Sequence, residues 1–112
     1  MQIRKIYQNV NPGLLYEDVK EFATKQGLIV YEENLQTYSI PTDSSSFITR
    51  GSIIFRGKDK PSETTECLRA HIEGSEKSNT KLILDINTDL LHQDKVTALQ
   101  SDLNFIFGSY ET

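Results

Sequence analysis

The last third of the chain constrains the fold most, because it joins an apolar strand to a one-sided helix. Residues 81–86 read KLILDI and alternate in the manner of a half-buried strand. Residues 91–107 carry apolar side chains at three- and four-residue steps, which predicts an amphipathic helix. The predicted apolar stripe is Val96, Leu99, Leu103, Ile106 and Phe107. In so short a chain this stripe can be buried only against a sheet built from the middle of the sequence.

The first third of the chain predicts a strand followed by a second helix. Residues 1–8 alternate imperfectly and are interpreted as the strand. Asn11 and Pro12 predict the helix start, because the Asn side chain accepts from free amides and proline at the first helical position loses no hydrogen bond. Gly27 is expected to end the helix in the left-handed conformation. The predicted buried stripe is Leu15, Val19, Phe22 and Ala23.

The middle of the chain predicts short strands joined by polar turns. We expect strands at residues 28–31, 35–40, 47–56, 66–73 and 80–87, with Pro41 ending the second of them. The turns are expected at residues 32–34, 42–46, 57–65 and 74–79. Alternation predicts that one set of strand residues faces the helices. These residues are Phe47, Thr49, Gly51, Ile53, Phe55, Leu68, Ala70, Ile72, Leu82, Leu84 and Ile86. Cys67 is predicted to point outward with Arg69, His71 and Glu73.

The predicted fold class is α+β, with one domain spanning residues 1–112. Two one-sided helices and short connections indicate an antiparallel sheet of about five to six strands with both helices on one face. The predicted element order is β-α-β-β-β-β-β-α.

This element order resembles two known architectures. It is similar to the helix-grip architecture of the START and Bet v 1-like proteins, in which a curved antiparallel sheet wraps a long C-terminal helix. It also resembles the TATA-binding-protein-like fold, in which a curved sheet carries two helices on one face and leaves the other open. The resemblance covers element order without any residue motif, so no functional residue is carried over from either family.

Composition narrows the classes of function. The net charge of −4 and the sequence pI near 5.1 argue against wholesale binding to nucleic acid or to an anionic membrane. The single cysteine, Cys67, cannot form an internal disulfide and is typical of a reducing compartment. Charges at Arg4 and Lys5 interrupt the apolar run that a signal peptide needs, and no stretch is long enough to span a membrane. We therefore expect a cytoplasmic protein.

No group of residues predicts catalysis or a cofactor. The two histidines are His71 and His92, and the predicted strand separates Cys67 from His71 by roughly 13 Å, too far for one metal ion. The sequence therefore predicts no catalytic residue, no metal and no cofactor, and an enzyme is disfavoured.

The sheet face opposite the predicted core is the candidate site. Its predicted partner-binding residues are Ile48, Arg50, Ile54, Arg56, Arg69, His71, Lys81 and Ile83. Four basic residues against Glu73 and Asp85 make this face locally positive, and the isoleucines add apolar surface. We expect a non-enzymatic binding module that contacts a protein partner or a second copy of itself.

Three alternatives remain open at the level of sequence. The face can be an ordinary solvated surface with isoleucines selected for β propensity. A helix-grip resemblance implies a small apolar ligand held between sheet and helices. Nucleic-acid binding is a further alternative, disfavoured because no aromatic residue interleaves the basic ones to stack on bases.

Overall fold

The computed structural model of the protein describes residues 1–40, 43–57, 66–75 and 78–112, with residues 40 and 43–46 described for the backbone only. The elements within these ranges are β1 (Gln2–Gln8), α1 (Pro12–Lys25), β2 (Leu28–Ile40), β3 (Asp43–Gly57), β4 (Leu68–Gly74), β5 (Asn79–Ile86) and α2 (Gln93–Phe107), followed by a 3₁₀ turn at Gly108–Tyr110. All paired strands are antiparallel, and the sheet order is β1-β5-β4-β3-β2. The predicted α+β class is confirmed.

Strand β2 is longer than predicted and replaces two short strands. The turn expected at residues 32–34 was wrong, because the chain continues as one strand with a bulge between Val30 and Glu32. The bulge inserts Tyr31 as an extra residue and reverses which side chains point to the helices. This reversal breaks the alternation in the sequence, so one bulged strand resembled two strands and a turn.

The β2–β3 connection is also tighter than predicted. Ile40 pairs with Asp43, so the backbone of residues 43–46 belongs to β3 and the loop expected there was wrong. Pro41 and Thr42 lie outside the described residues. The same holds for residues 58–65 and 76–77, which make up most of one predicted connection and part of another.

The predicted start of α1 is confirmed by its cap. The Asn11 side chain accepts from the backbone N–H groups of Gly13 and Leu14 at 2.8 and 3.2 Å, and Pro12 occupies the first turn. Gly27 has φ +86°, the left-handed conformation expected after the helix end. Helix α2 begins two residues later than predicted, where His92 Nδ1 accepts from the Asp94 N–H at 3.2 Å.

One core lies between the sheet and both helices. The buried sheet residues share a single face of the strands, so both helices lie on that face, as predicted. Helix α1 buries Leu15, Tyr16 and Val19, and α2 buries Val96, Leu99, Leu103 and Phe107. The ring of Phe107 packs on that of Tyr7 in β1, with centroids 5.8 Å apart.

Three side chains depart from their predicted positions. Phe47 was expected in the core but is 51% exposed, because the β2–β3 hairpin extends beyond the part of the sheet that α1 covers. Ile106 was assigned to the α2 stripe but is 45% exposed at the edge of the helix contact. Cys67 was expected to point outward but is buried, because it precedes the first residue of β4 and does not follow that strand's alternation.

Candidate binding face

The site is the sheet surface that neither helix covers, which we call the open face. Strand pairing arranges its side chains in rows that cross all five strands. The rows, from β1 to β2, are Gln2, Asp85, Arg69, Ile54 and Glu32; then Arg4, Ile83, His71, Ser52 and Asn34; then Ile6, Lys81, Glu73, Arg50 and Gln36. Of the remaining predicted residues, Ile48 lies opposite Tyr38 and Arg56 lies opposite Ile29, on the same face. The structure therefore places all eight predicted site residues on one face.

Cross-strand contacts between polar side chains organise much of the open face. Arg50 lies opposite Glu73, and its guanidinium is 3.2 Å from the Glu73 carboxylate. His71 Nε2 lies 3.7 Å from Asp85 Oδ2, and the same carboxylate group accepts from the Gln2 amide at 2.8 Å. These contacts are between partly exposed groups, so each contributes little to stability. Their effect is to hold the side chains in one arrangement.

Arg69 has the tightest ion pair on the open face. Its Nε and an Nη atom donate to the two oxygens of Glu66 at 3.0 and 2.8 Å. These hydrogen bonds raise the pKa of Arg69 above its ordinary value, so the guanidinium remains charged. The bidentate contact directs the positive charge towards the end of the sheet and away from the centre of the face.

The centre of the open face contains a shallow hollow of about 260 Å³. Four of the predicted residues line it, namely Arg50, His71, Lys81 and Ile83. Strands β2 and β3 add neutral polar groups through Asn34, Gln36 and Ser52. Within the described part of the chain Lys81 has no ion-pair partner, so its ammonium group remains available at the rim of the hollow. Such a hollow can accept a small acidic or polar group with apolar contact at Ile83.

The apolar surface of the open face lies mostly at its edges. Ile48, Ile54 and Ile83 are half-buried among longer polar side chains. More exposed apolar side chains come from the edge strands, with Ile6 at 39%, Ile29 at 38% and Tyr38 at 48%. The face therefore has a polar, charged centre between two partly apolar edges.

Sequence reasoning left the contribution of β2 out of the site. The ring of Tyr31 lies 3.3 Å from the guanidinium carbon of Arg56, a cation–π contact on the open face. Tyr31 reaches this position because of the bulge, and Tyr38 joins the same face seven residues later. Aromatic residues therefore do stand beside basic ones, contrary to the prediction. The change of alternation after Val30 was the signal that could have revealed them.

The described residues on this face carry more positive than negative charge. The basic residues are Arg4, Arg50, Arg56, Arg69 and Lys81, and the acidic ones are Glu32, Glu66, Glu73 and Asp85. The helical side is the opposite, because α1 carries Glu17, Asp18 and Glu21 against Lys20 and Lys25. The two sides of the molecule therefore differ in charge although the whole chain is acidic.

Comparison with known proteins supplies no relative: no protein family, curated protein or solved structure matches this chain. Over residues 1–40, 43–57, 66–75 and 78–112, no three His, Cys, Asp or Glu side chains stand close enough to hold a metal ion. No helix in those ranges has the length and apolar character needed to cross a membrane.

Proposed function

We propose that the protein is a non-catalytic binding module whose open face contacts another protein or a second copy of the chain. The observation that carries this proposal is the polar central hollow of the open face, which lies between two partly apolar edges of the sheet. A polar centre that fixes orientation and nearby apolar area that supplies contact are both features of protein interfaces.

The charge of the face supports a partner that presents carboxylates. Lys81 lies at the hollow without an ion-pair partner among the described residues, and the positive groups exceed the negative ones. A partner carboxylate beside Lys81 and the Arg50–Glu73 pair would gain a charge-assisted hydrogen bond without displacing the existing ion pair. Acidic patches on the partner would also accelerate its association with the open face at low ionic strength.

The packing between sheet and helices supports a surface contact over a ligand held inside. The side chains there interlock in one cluster, and Leu15, Val19, Phe55, Leu84 and Val96 are fully buried within it. A small apolar ligand would need a cavity of about 300 Å³ or more in this layer. The hollow described above instead opens to solvent on the other side of the sheet.

Paired substitutions on the open face test the proposal. Ile54→Thr combined with Ile83→Thr keeps the β preference and removes apolar contact, while Arg50→Gln combined with Arg56→Gln removes charge. Sedimentation velocity at several concentrations reports self-association, and quantitative capture from the native lysate reports other partners. Ser101→Ala on the exposed side of α2 is the matched control. We expect both open-face pairs to weaken association and the control to leave it unchanged.

Two experimental results would contradict the proposal. If the parent is monomeric and captures nothing, and the isoleucine pair loses several kcal/mol of stability, then these residues serve the fold alone. If the arginine pair abolishes salt-dependent binding to nucleic acid, then nucleic acid is the partner and the Tyr31–Arg56 contact becomes part of that site.

A further inference from the structure

The two edge strands of the sheet differ in whether their outward backbone groups are hydrogen-bonded. The edge strand β1 is short, and the C-terminal residues lie along it: Tyr7 forms a bridge with Glu111, and the Thr112 N–H donates to the Ile6 carbonyl at 2.8 Å. Lys5 adds an ion pair to Glu111 at 3.2 Å. Part of this edge therefore has its backbone groups satisfied, and a basic side chain protects it further.

The other edge strand, β2, is long and open. It spans Leu28–Ile40, and its side chains from Tyr31 to Ser39 are all exposed. Because an antiparallel strand pairs through alternate residues, half of its N–H and C=O groups point away from β3. Within the described part of the chain no segment pairs with these outward groups. The strand also contains no lysine, arginine or proline, which are the usual residues that discourage pairing at an edge.

An acidic groove runs beside this edge on the helical side of the sheet. It has a volume of about 440 Å³ and lies between α1 and β2, with Val30 and Thr24 as its less polar members. Glu17, Glu21 and Glu33 line it against a single cation, Lys20, whose Nζ lies 3.5 Å from Glu17 and 3.2 Å from Glu33. Among the described residues Glu21 forms no ion pair, so the lining residues of the groove retain net negative charge.

We propose that the outer edge of β2 receives an extended peptide segment as a sixth strand, with a lysine or arginine side chain of that segment in the α1–β2 groove. The backbone of β2 supplies the hydrogen bonds that hold the segment. A side chain opposite Glu33 on an added strand lies about 5 Å from it at the Cβ atoms, which brings a basic group within reach of Glu21. The outer edge of β2 and the α1–β2 groove lie outside the central hollow of the open face, so this site extends the proposed function to a second partner surface.

Charge also decides between a basic segment and a second copy of β2. Pairing two β2 edges would bring Glu33 of each copy towards the acidic groove of the other. Strand β2 contains no basic residue that could compensate. An inward-pointing charge such as Glu33 is a known means of preventing identical edges from pairing. The same charge attracts a strand that carries lysine or arginine.

Blocked nine-residue peptides provide the test. The probe has the sequence Thr-Val-Thr-Arg-Thr-Arg-Thr-Val-Thr, which directs both arginines to one face of a strand. Titration of the ¹⁵N-labelled protein at millimolar peptide should shift the amide signals of β2 and slow their hydrogen exchange. Replacing both arginines by glutamate should weaken binding by about tenfold or more, because like charges then meet in the groove.

Backbone methylation separates strand addition from simple charge attraction. Two further peptides each carry two backbone N-methyl groups. In one peptide these are on two threonines, and in the other they are on one valine and one arginine. Only one edge of an added strand faces β2, so one methylated peptide should lose binding and the other should retain it. In the protein, Glu21→Gln should weaken binding about two- to fivefold, as expected for one exposed charge pair. Glu73→Gln on the open face is the matched control and should have no effect.

Several results would overturn the proposal. These are the absence of binding at millimolar concentration, equal affinity for the arginine and glutamate peptides, an equal effect of the two methylation patterns, and signal shifts confined to β3, β4 and β5 around the central hollow. A dimer of the free protein joined through β2, seen as slowed exchange of its amides that disappears on dilution, would also overturn it. Failure of the open-face variants described above would leave these results unaffected, so the two proposals can be judged separately.

Discussion

Adding one methyl group at Gly51 should destabilise the protein, because the Tyr16 ring of α1 packs against β3 there. A Cβ atom at this position would lie 2.6 and 2.9 Å from Cδ2 and Cε2 of Tyr16, and 3.1 Å from Cδ1 of Leu35. Carbon atoms in ordinary contact are about 3.5–4.0 Å apart, so the Tyr16 ring must move by about 1 Å. That ring is buried, and its hydroxyl donates to Glu33 at 3.3 Å.

The expected cost of Gly51→Ala follows from this contact. Forcing an extra carbon into a packed site costs about 1–3 kcal/mol, against about 0.4–1 kcal/mol gained by restricting the unfolded chain. We therefore expect a net loss of about 1–2 kcal/mol in the free energy of unfolding, measured by urea denaturation with an unchanged m value. Gly57→Ala is the matched control, because the contact of its added carbon among the described residues is with Cys67 Sγ at 3.6 Å, an ordinary van der Waals distance.

A double-mutant cycle identifies the clashing partner. Combining Gly51→Ala with Tyr16→Ala should cost about 1 kcal/mol less than the sum of the two single changes, because the ring that clashes is gone. If Gly51→Ala is as stable as the parent, or if the two changes are additive, then Tyr16 does not rest on Gly51 and the account of how α1 packs on β3 is wrong.

Three further outcomes follow from buried and exposed side chains. Leu103→Ala should cost about 2–5 kcal/mol through the cavity it leaves, whereas Ile106→Ala and Ser101→Ala should change the thermal midpoint little. Burial raises the pKa of Tyr7 to about 12 from the ordinary value of 10.0, so stability that is fully present below pH 10 should be lost as pH rises towards 12. Tyr7→Phe should remove that part of the loss, as seen in urea midpoints measured across this range. Phe105 is 88% exposed, so a fluorine label on its ring should respond fully to a soluble paramagnetic quencher, and a protected ring in the monomer would contradict its placement.

Much of the fold could be predicted because several local signals agree. The Asn11 cap, the left-handed Gly27 and the apolar stripes of the helices each require only a few neighbouring residues to interpret. The inward positions of β4 and β5 were likewise evident from alternation. These signals depend on neighbouring residues alone, so they can be recognised in the sequence.

The errors concern features that depend on distant parts of the chain. Whether the chain turns at residues 32–34 or continues as a strand depends on the pairing of β2 with β3. The polar residues at these positions do not indicate that pairing. Phe47 is exposed because α1 covers the sheet only as far as Tyr16 and Gly51, and no local pattern reveals where a helix begins to cover a distant strand. The same limit applies to Cys67, which lies just before its strand begins.

The placement of the candidate residues on one face was predictable, and the contacts between them were less so. Alternation correctly identified side chains that share the face away from the helices, and the structure brings Arg50, His71, Lys81 and Ile83 into one hollow. The contacts of Arg50 with Glu73 and of His71 with Asp85 depend on strand register, which the sequence alone does not specify. The aromatic residues of β2 were missed for the same reason, since they reach the open face through the bulge.

Photo-crosslinking within the native source tests most directly whether the open face is the contact surface. A benzophenone-bearing residue would replace Asn34 at the rim of the hollow, and in a second protein it would replace Ser101 on the exposed side of α2. We predict a discrete adduct from position 34, to another protein or to a second copy, which disappears when Ile54→Thr and Ile83→Thr are added. Equal adducts from both positions, or an adduct from position 101 alone, would contradict the proposed function.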